Sequence, residues 1–168
     1  LFHADHNAMR LDNMVIIAPD GSTVAPQNLT RGRYRSTFDL QLTQSGTYRI
    51  VNAQSGMNAR YTLNGEERGW RGQAADLPGA IPQGARNVRL SENANRIETF
   101  VTRGAPTPIT PTNQGLELAP VTHPNDLVAG EAAQFRFLLD GRPAANLEVT
   151  IAPGGARYRN DTGEIKVT

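Results

Sequence analysis

The chain reads as all-β, arranged as two consecutive β-sandwich domains, and three observations predict it. Runs rich in β-branched and aromatic residues recur at about ten-residue spacing, the rhythm of a sandwich. Turn chemistry bounds them, in Pro19-Asp20-Gly21, Gln44-Ser45-Gly46, Asn64-Gly65 and Asp140-Gly141. And 16 glycines with 11 prolines among 168 residues leave little room for long helices.

The elements follow in order. Met14 to Ala18 is β-branched and stops at Pro19-Asp20-Gly21, a type I or type II turn. Tyr34 to Leu42 alternates, with Phe38, Leu40 and Leu42 on one face. With Thr47 to Asn52 it predicts a hairpin across Gln44-Ser45-Gly46. Arg60 to Glu66 closes on Asn64-Gly65, the strongest short hairpin signal. Residues 66–87 break the rhythm, with one helical turn predicted at Gln73 to Leu77 and stopped by Pro78. Strand character returns in Val88 to Leu90 and Arg96 to Thr102.

Three prolines between Gly104 and Asn113 predict an extended, semi-rigid connection. The expected organisation is a first domain over 1–104, immunoglobulin-like or jelly-roll-like, and a linker over 105–114. A second, immunoglobulin-like or transthyretin-like domain over 115–168 is expected to be incomplete at its C-terminal end. Its strands are Leu116 to Val121, Gln134 to Leu139, Leu147 to Ile151 and Glu164 to Thr168.

Composition narrows the function. Hydrophobic residues make up 38% and charged residues 20%, which suits a packed core and argues against disorder. A formal net charge of +1 offers no global field for nucleic acid. No apolar run approaches the roughly 18 residues of a membrane-spanning helix. Cysteine is absent, so no disulfide framework holds the fold. No Gly-rich phosphate loop, Gly-x-Ser-x-Gly elbow or Cys nucleophile occurs, and the expectation is that the protein is not an enzyme.

Metal chemistry has one cluster to offer. His3, Asp5 and His6 combine imidazole and carboxylate, a donor set for Ni, Co, Zn or Cu. On a strand His3 and Asp5 share a face and His6 points away, so a loop or helical turn must bring them together. The competing reading is a polar segment near a chain end. His123 is the further candidate ligand, with Asp126 beside it, against a plain turn built by Pro124, Asn125 and Asp126. Trp70 between Arg68 and Arg71 offers stacking on a ligand, and core packing is favoured. Arg31, Arg33 and Arg35 form either an anion-contacting stripe or a solvated strand face. Asn160 to Glu164 carries Ca²⁺-type oxygens without Asp-x-Asp spacing and reads better as a hairpin turn.

Several strings resemble a known family. They are Ala18 to Ser22, Gly32 to Phe38, Gln44 to Tyr48, Arg96 to Thr102, Gly115 to Pro124 and Pro153 to Arg159. In this order they resemble an uncharacterised family of bacterial periplasmic proteins with a domain of unknown function. Its members are commonly labelled periplasmic components of an ABC-type cobalt or nickel uptake system. The resemblance implies a periplasmic protein exported by a cleaved signal peptide, with a mature chain beginning before Leu1 and continuing past Thr168. It also implies a divalent transition metal as cargo and a membrane metal transporter as partner, with His3, Asp5, His6 and His123 as ligands. The alternative is a metal-free structural or protein-interaction module of the bacterial envelope, presenting loops or an edge strand.

Overall fold

The computed structural model describes residues 8–152, 154 and 165–167. Over these residues the chain is all-β, in several antiparallel sheets, none closed into a barrel. The strands are β1 (Met14–Ile17), β2 (Thr23–Val24), β3 (Gln27–Arg31), β4 (Ser36–Asp39), β5 (Gly46–Leu63) and β6 (Glu66–Gly72). They continue with β7 (Arg86–Arg103), β8 (Leu116–Pro120), β9 (Phe135–Leu139), β10 (Arg142–Pro143), β11 (Val149–Ile151) and β12 (Ile165–Val167).

The largest sheet is organised by β5, an 18-residue strand. Its first residues pair with β1 on one side, and its later ones with β6 on that same side. Along its other side runs β7, also 18 residues, in register from Gly46 opposite Arg103 to Arg60 opposite Arg89. A separate sheet orders β10-β9-β8, while β3 pairs with β4 and β11 with β12.

The turns obey their sequences. Gly21 N–H donates to the Ala18 carbonyl at 2.9 Å, and Gly21 alone takes the positive φ of 84° that follows a type I turn. Asn64 and Gly65 both adopt positive φ, 53° and 84°, as the type I′ hairpin between β5 and β6 demands.

The buried core is small and sits at the proximal end of β5. Ile16, Ala18 and Tyr48 are buried, and Phe38, Leu40 and Leu42 pack against them from the single face that their alternation predicts. Burying each such large side chain contributes about 1.5–3 kcal/mol.

Two local expectations fail for one reason: tertiary pairing. The segment Tyr34 to Leu42 does not pair with Thr47 to Asn52. There, both edges of β5 are taken, by β1 across Arg49 to Asn52 and by β7 from Gly46 onward. The β4 strand pairs instead with polar β3, and Gly32 N–H bonds the Arg35 carbonyl at 2.9 Å across their turn. Residues 66–72 and 88–102 are not interrupted either. The first is β6, and the second is one continuous strand, because β5 supplies a partner along its length. Pro78 does not stop the helical turn but opens it, at the start of α1 (Leu77–Ala80) after a 3₁₀ turn over Ala74–Asp76.

Candidate functional site

Polar clusters, rather than apolar packing, tie the segment after β7 to the large sheet. In the first, Thr47 and Thr107 clip two chain segments reciprocally. Thr47 N–H donates to Thr107 Oγ1 at 2.9 Å, and Thr107 N–H donates to Thr47 Oγ1 at 3.1 Å. His123 joins from the loop after β8, its Nε2 lying 3.0 Å from Thr47 Oγ1. Its Nδ1 accepts the Asn125 N–H at 3.1 Å, so the neutral ring carries its hydrogen on Nε2 and donates to Thr47. Thr47 Oγ1 then donates to Thr102 Oγ1 (2.8 Å), which donates to Asn125 Oδ1 (2.8 Å). The four residues close a hydrogen-bonded ring.

Asn125 also donates from Nδ2 to the Phe100 carbonyl at 3.2 Å, meeting a backbone acceptor of β7. The loop therefore covers the edge of the sheet near Phe100 to Thr102. The turn that shapes it is closed by the Asp126 N–H on the His123 carbonyl at 2.9 Å. His123 thus starts the predicted turn, and both nitrogens of its ring are engaged by protein groups.

The second cluster is charged. Arg49, Arg96, Glu98 and Glu117 lie together with almost no side-chain exposure, 5%, 14%, 10% and 0%. Two positive and two negative groups make it neutral overall. Arg49 Nε and Nη2 both donate to Glu98 Oε1, at 3.0 and 2.7 Å, and Nη2 also reaches Glu117 Oε2 at 3.1 Å. Arg49 Nη1 bonds the Thr110 carbonyl at 3.0 Å, and Arg96 Nε bonds Glu98 Oε1 at 2.6 Å.

Glu117 is cradled by the Pro-rich segment. Thr112 N–H and Oγ1 donate to its Oε2 at 2.8 and 3.0 Å, and Asn113 N–H to its Oε1 at 2.6 Å. Burial pushes its pKa up, but the backbone donors of Thr112 and Asn113, the Thr112 hydroxyl and Arg49 outweigh that and hold it below the ordinary value. A carboxylate so saturated serves as an acceptor that ties Thr112, Asn113 and Arg49 together.

One oxygen of this cluster is different. Among the described residues, Glu98 Oε2 receives no hydrogen bond, while Glu98 lines a cleft of about 550 Å³. Ala94 to Arg96 and Phe100 form one wall of the cleft, and Gln114 to Leu118 with Phe137 another. The cleft is mostly apolar with a charged end, the ordinary makeup of a site that takes an extended or drug-sized ligand.

The remaining candidates fall as follows. His3, Asp5 and His6 lie outside the described residues, as does Asn160 to Glu164. Among the described residues no three His, Asp or Glu side chains are grouped to hold a metal ion. Trp70 is half-buried on β6, its ring against Gly72. Arg31, Arg33 and Arg35 do not alternate along a strand: they surround the β3–β4 turn, with Arg33 over the Tyr34 ring at 4.9 Å. No helix of the described residues is long and apolar enough to cross a membrane.

Sequence reasoning missed Thr47, Thr102, Asn125 and the four charged residues. The one available signal was Glu117, a carboxylate inside the apolar run Leu116 to Val121.

No curated protein and no solved structure matches the chain. A family model does, over residues 1–168, and its description, a domain of unknown function, names neither a metal nor a transport system. The chain therefore belongs to the DUF4198 family, on a match that runs its whole length.

Proposed function

We propose that the protein is a non-catalytic interaction module of the bacterial envelope, which receives an extended segment of a partner at the cleft beside Glu98 and along the adjoining edge of β7. One observation carries the reading. From Arg86 to Asn95 every residue of β7 is exposed, and β5 is its only strand partner among the described residues. Unpaired N–H and C=O groups along such an edge accept an added strand, and side-chain pockets supply selectivity. The imidazole of His123 supports the same view, since protein partners hold both of its nitrogens.

Photo-crosslinking in the producing bacterium tests it. A photoreactive amino acid replacing Leu90 on the edge, or Asn95 at the cleft, is expected to trap the same envelope protein. The same probe at Leu29, exposed on β3, is expected not to. Equal trapping from all three positions, or none from Leu90 and Asn95, overturns the reading.

A metal-handling role in nickel or cobalt uptake, in the periplasm, is the second reading. It is supported by the His3-Ala4-Asp5-His6 donor set and by the resemblance described above. In that reading an ion at His123 must displace either the Asn125 N–H or Thr47 from the ring nitrogens. Calorimetric titration of Ni²⁺, Co²⁺, Zn²⁺ and Cu²⁺ decides it. Micromolar binding lost in His3→Ala/His6→Ala supports the role, and silence for all four ions ends it.

A further inference from the structure

The distal half of the β5/β7 ribbon, with β6 alongside, has two chemically different faces. Strand alternation assigns them. Ala59, Tyr61 and Leu63 point one way, together with Trp70 and Leu90, which pair with Ala59. Asn58, Arg60 and Thr62 point the other way. Across from Arg60 stand Gly69 on β6 and Arg89 on β7, and across from Asn58 stand Arg71 and Ser91.

Arg60, Arg71 and Arg89 therefore crowd one face of three adjacent strands. Arg60 and Arg89 are direct cross-strand neighbours, an arrangement that is destabilising for like charges, and Arg71 is diagonal to Arg60. All three are exposed. Glu67 is the acidic residue on this face, opposite Thr62, yet among the described residues no ion pair joins it to any of the three arginines. Some arginines do have partners: Arg49 and Arg96 bond Glu98, Arg68 bonds Glu66, and Arg103 bonds the carbonyls of Leu42 and Thr43.

The face is also hollow. Gly69 puts no side chain opposite Arg60, and a depression of about 810 Å³ is lined by Arg60, Arg71 and Arg89 with Glu67 and polar neighbours, and also by Ala59, Tyr61, Trp70 and Leu90, which lie between them along the strands. Three guanidinium forks around one depression match the several oxygens of a phosphate, since each fork can donate two parallel hydrogen bonds.

We propose that Arg60, Arg71 and Arg89 form a binding site for a phosphate-bearing anion, carried either by a soluble phosphorylated molecule or by a lipid headgroup. The bound anion supplies the counter-charge that the Arg60–Arg89 pair lacks. This site lies away from the cleft beside Glu98. Arg89 stands on the same stretch of β7 as the proposed receiving edge, but the anion site uses the face of the sheet and not that edge, so it does not depend on the reading given there.

Pyrophosphate titration into the whole protein, followed by calorimetry at low salt, tests the site. Binding is expected to weaken at least tenfold in Arg60→Gln/Arg89→Gln, and to be unchanged in Arg31→Gln/Arg35→Gln, the control at the β3–β4 turn. Pyrophosphate should also raise the melting temperature of the wild type and not that of Arg60→Gln/Arg89→Gln. Flotation with phosphatidic acid–phosphatidylcholine vesicles identifies the source. Vesicle binding that pyrophosphate competes away assigns a headgroup, and pyrophosphate binding without vesicle binding assigns a soluble phosphate. No pyrophosphate binding by the wild type, or equal losses in the two double variants, overturns the proposal.

Discussion

Thr47 and His123, 76 positions apart, are joined by a hydrogen bond of 3.0 Å between hydroxyl and imidazole. Through it the first residues of β5 hold the loop after β8, and the Thr107 clip holds the Pro-rich segment at the same hydroxyl. This single side chain accepts from the His123 ring and the Thr107 N–H while donating to Thr102.

Thr47→Val keeps the shape and removes that hydroxyl. It leaves the His123 Nε2–H and the Thr107 N–H without their acceptor, at about 2–3 kcal/mol in total. Urea unfolding should show this loss, and Thr47→Ser should recover most of it.

Glu117→Ala strands the Thr112 and Asn113 N–H groups in the interior and leaves Arg49 and Arg96 with Glu98 as their one remaining carboxylate in the cluster. Removing one partner of a buried pair costs about 3–5 kcal/mol. Arg49→Met/Glu117→Leu should cost less than the two single losses added together, because neither charge is then left alone. A double-mutant cycle by denaturant unfolding reads the coupling directly.

Acid should weaken the fold through Glu117 and Asp20. Glu117 is held below its ordinary value of 4.5, despite burial, by its hydrogen bonds to Thr112, Asn113 and Arg49. Asp20 is held below 3.8 by the Ser22 side chain and N–H and by Gln44. The folded state thus binds these protons less readily than the unfolded chain does. Their contribution is complete above the ordinary values and disappears as pH falls through the lower folded ones. Melting temperature should fall steeply below pH 4.5 in the wild type, and Glu117→Gln should flatten that limb.

Gly46 and Gly65 separate two effects of a glycine. Both have positive φ, 126° and 84°. A Cβ on Gly65 meets nothing within 4 Å, whereas one on Gly46 falls 2.7 Å from Pro19 Cβ and 2.9 Å from Thr107 Cγ2. Gly65→Ala should cost about 1 kcal/mol, the backbone penalty alone. Gly46→Ala adds the clash and should cost at least about 2 kcal/mol more. Thermal unfolding of the two variants compares them.

The all-β class and the two tight turns were legible because they depend on neighbouring residues. The Phe38, Leu40 and Leu42 face was legible because their alternation defines it, although β4 itself ends at Asp39. Continuity of β7 was not: Ser91 to Asn95 is polar and has little strand propensity, and only its pairing to Gln54 to Asn58 extends it. Alternation misleads outright in β8. It suggests that Leu116 turns inward and Glu117 outward, yet Leu116 is 38% exposed and Glu117 only 2%. The donors that reverse this come from Thr112, Asn113 and Arg49, and the distance of Arg49 along the chain hides the arrangement. The ring around Thr47 draws on three separate segments, at Thr47, Thr102 and His123 to Asn125, so no window of the sequence contains it.

The pairing of β5 with β7, continuous from Gly46 to Arg60, makes the ribbon a spacer. Thirteen residues separate Thr47 from Arg60 on one strand, which at about 3.3 Å per residue is roughly 40 Å when fully extended. A load applied along that axis pulls the registered strands in shear, so many cross-strand bonds share it at once. The arginine face therefore stands at the end of a stiff arm rooted in the Thr47 ring, able to touch one surface while the body of the protein holds another.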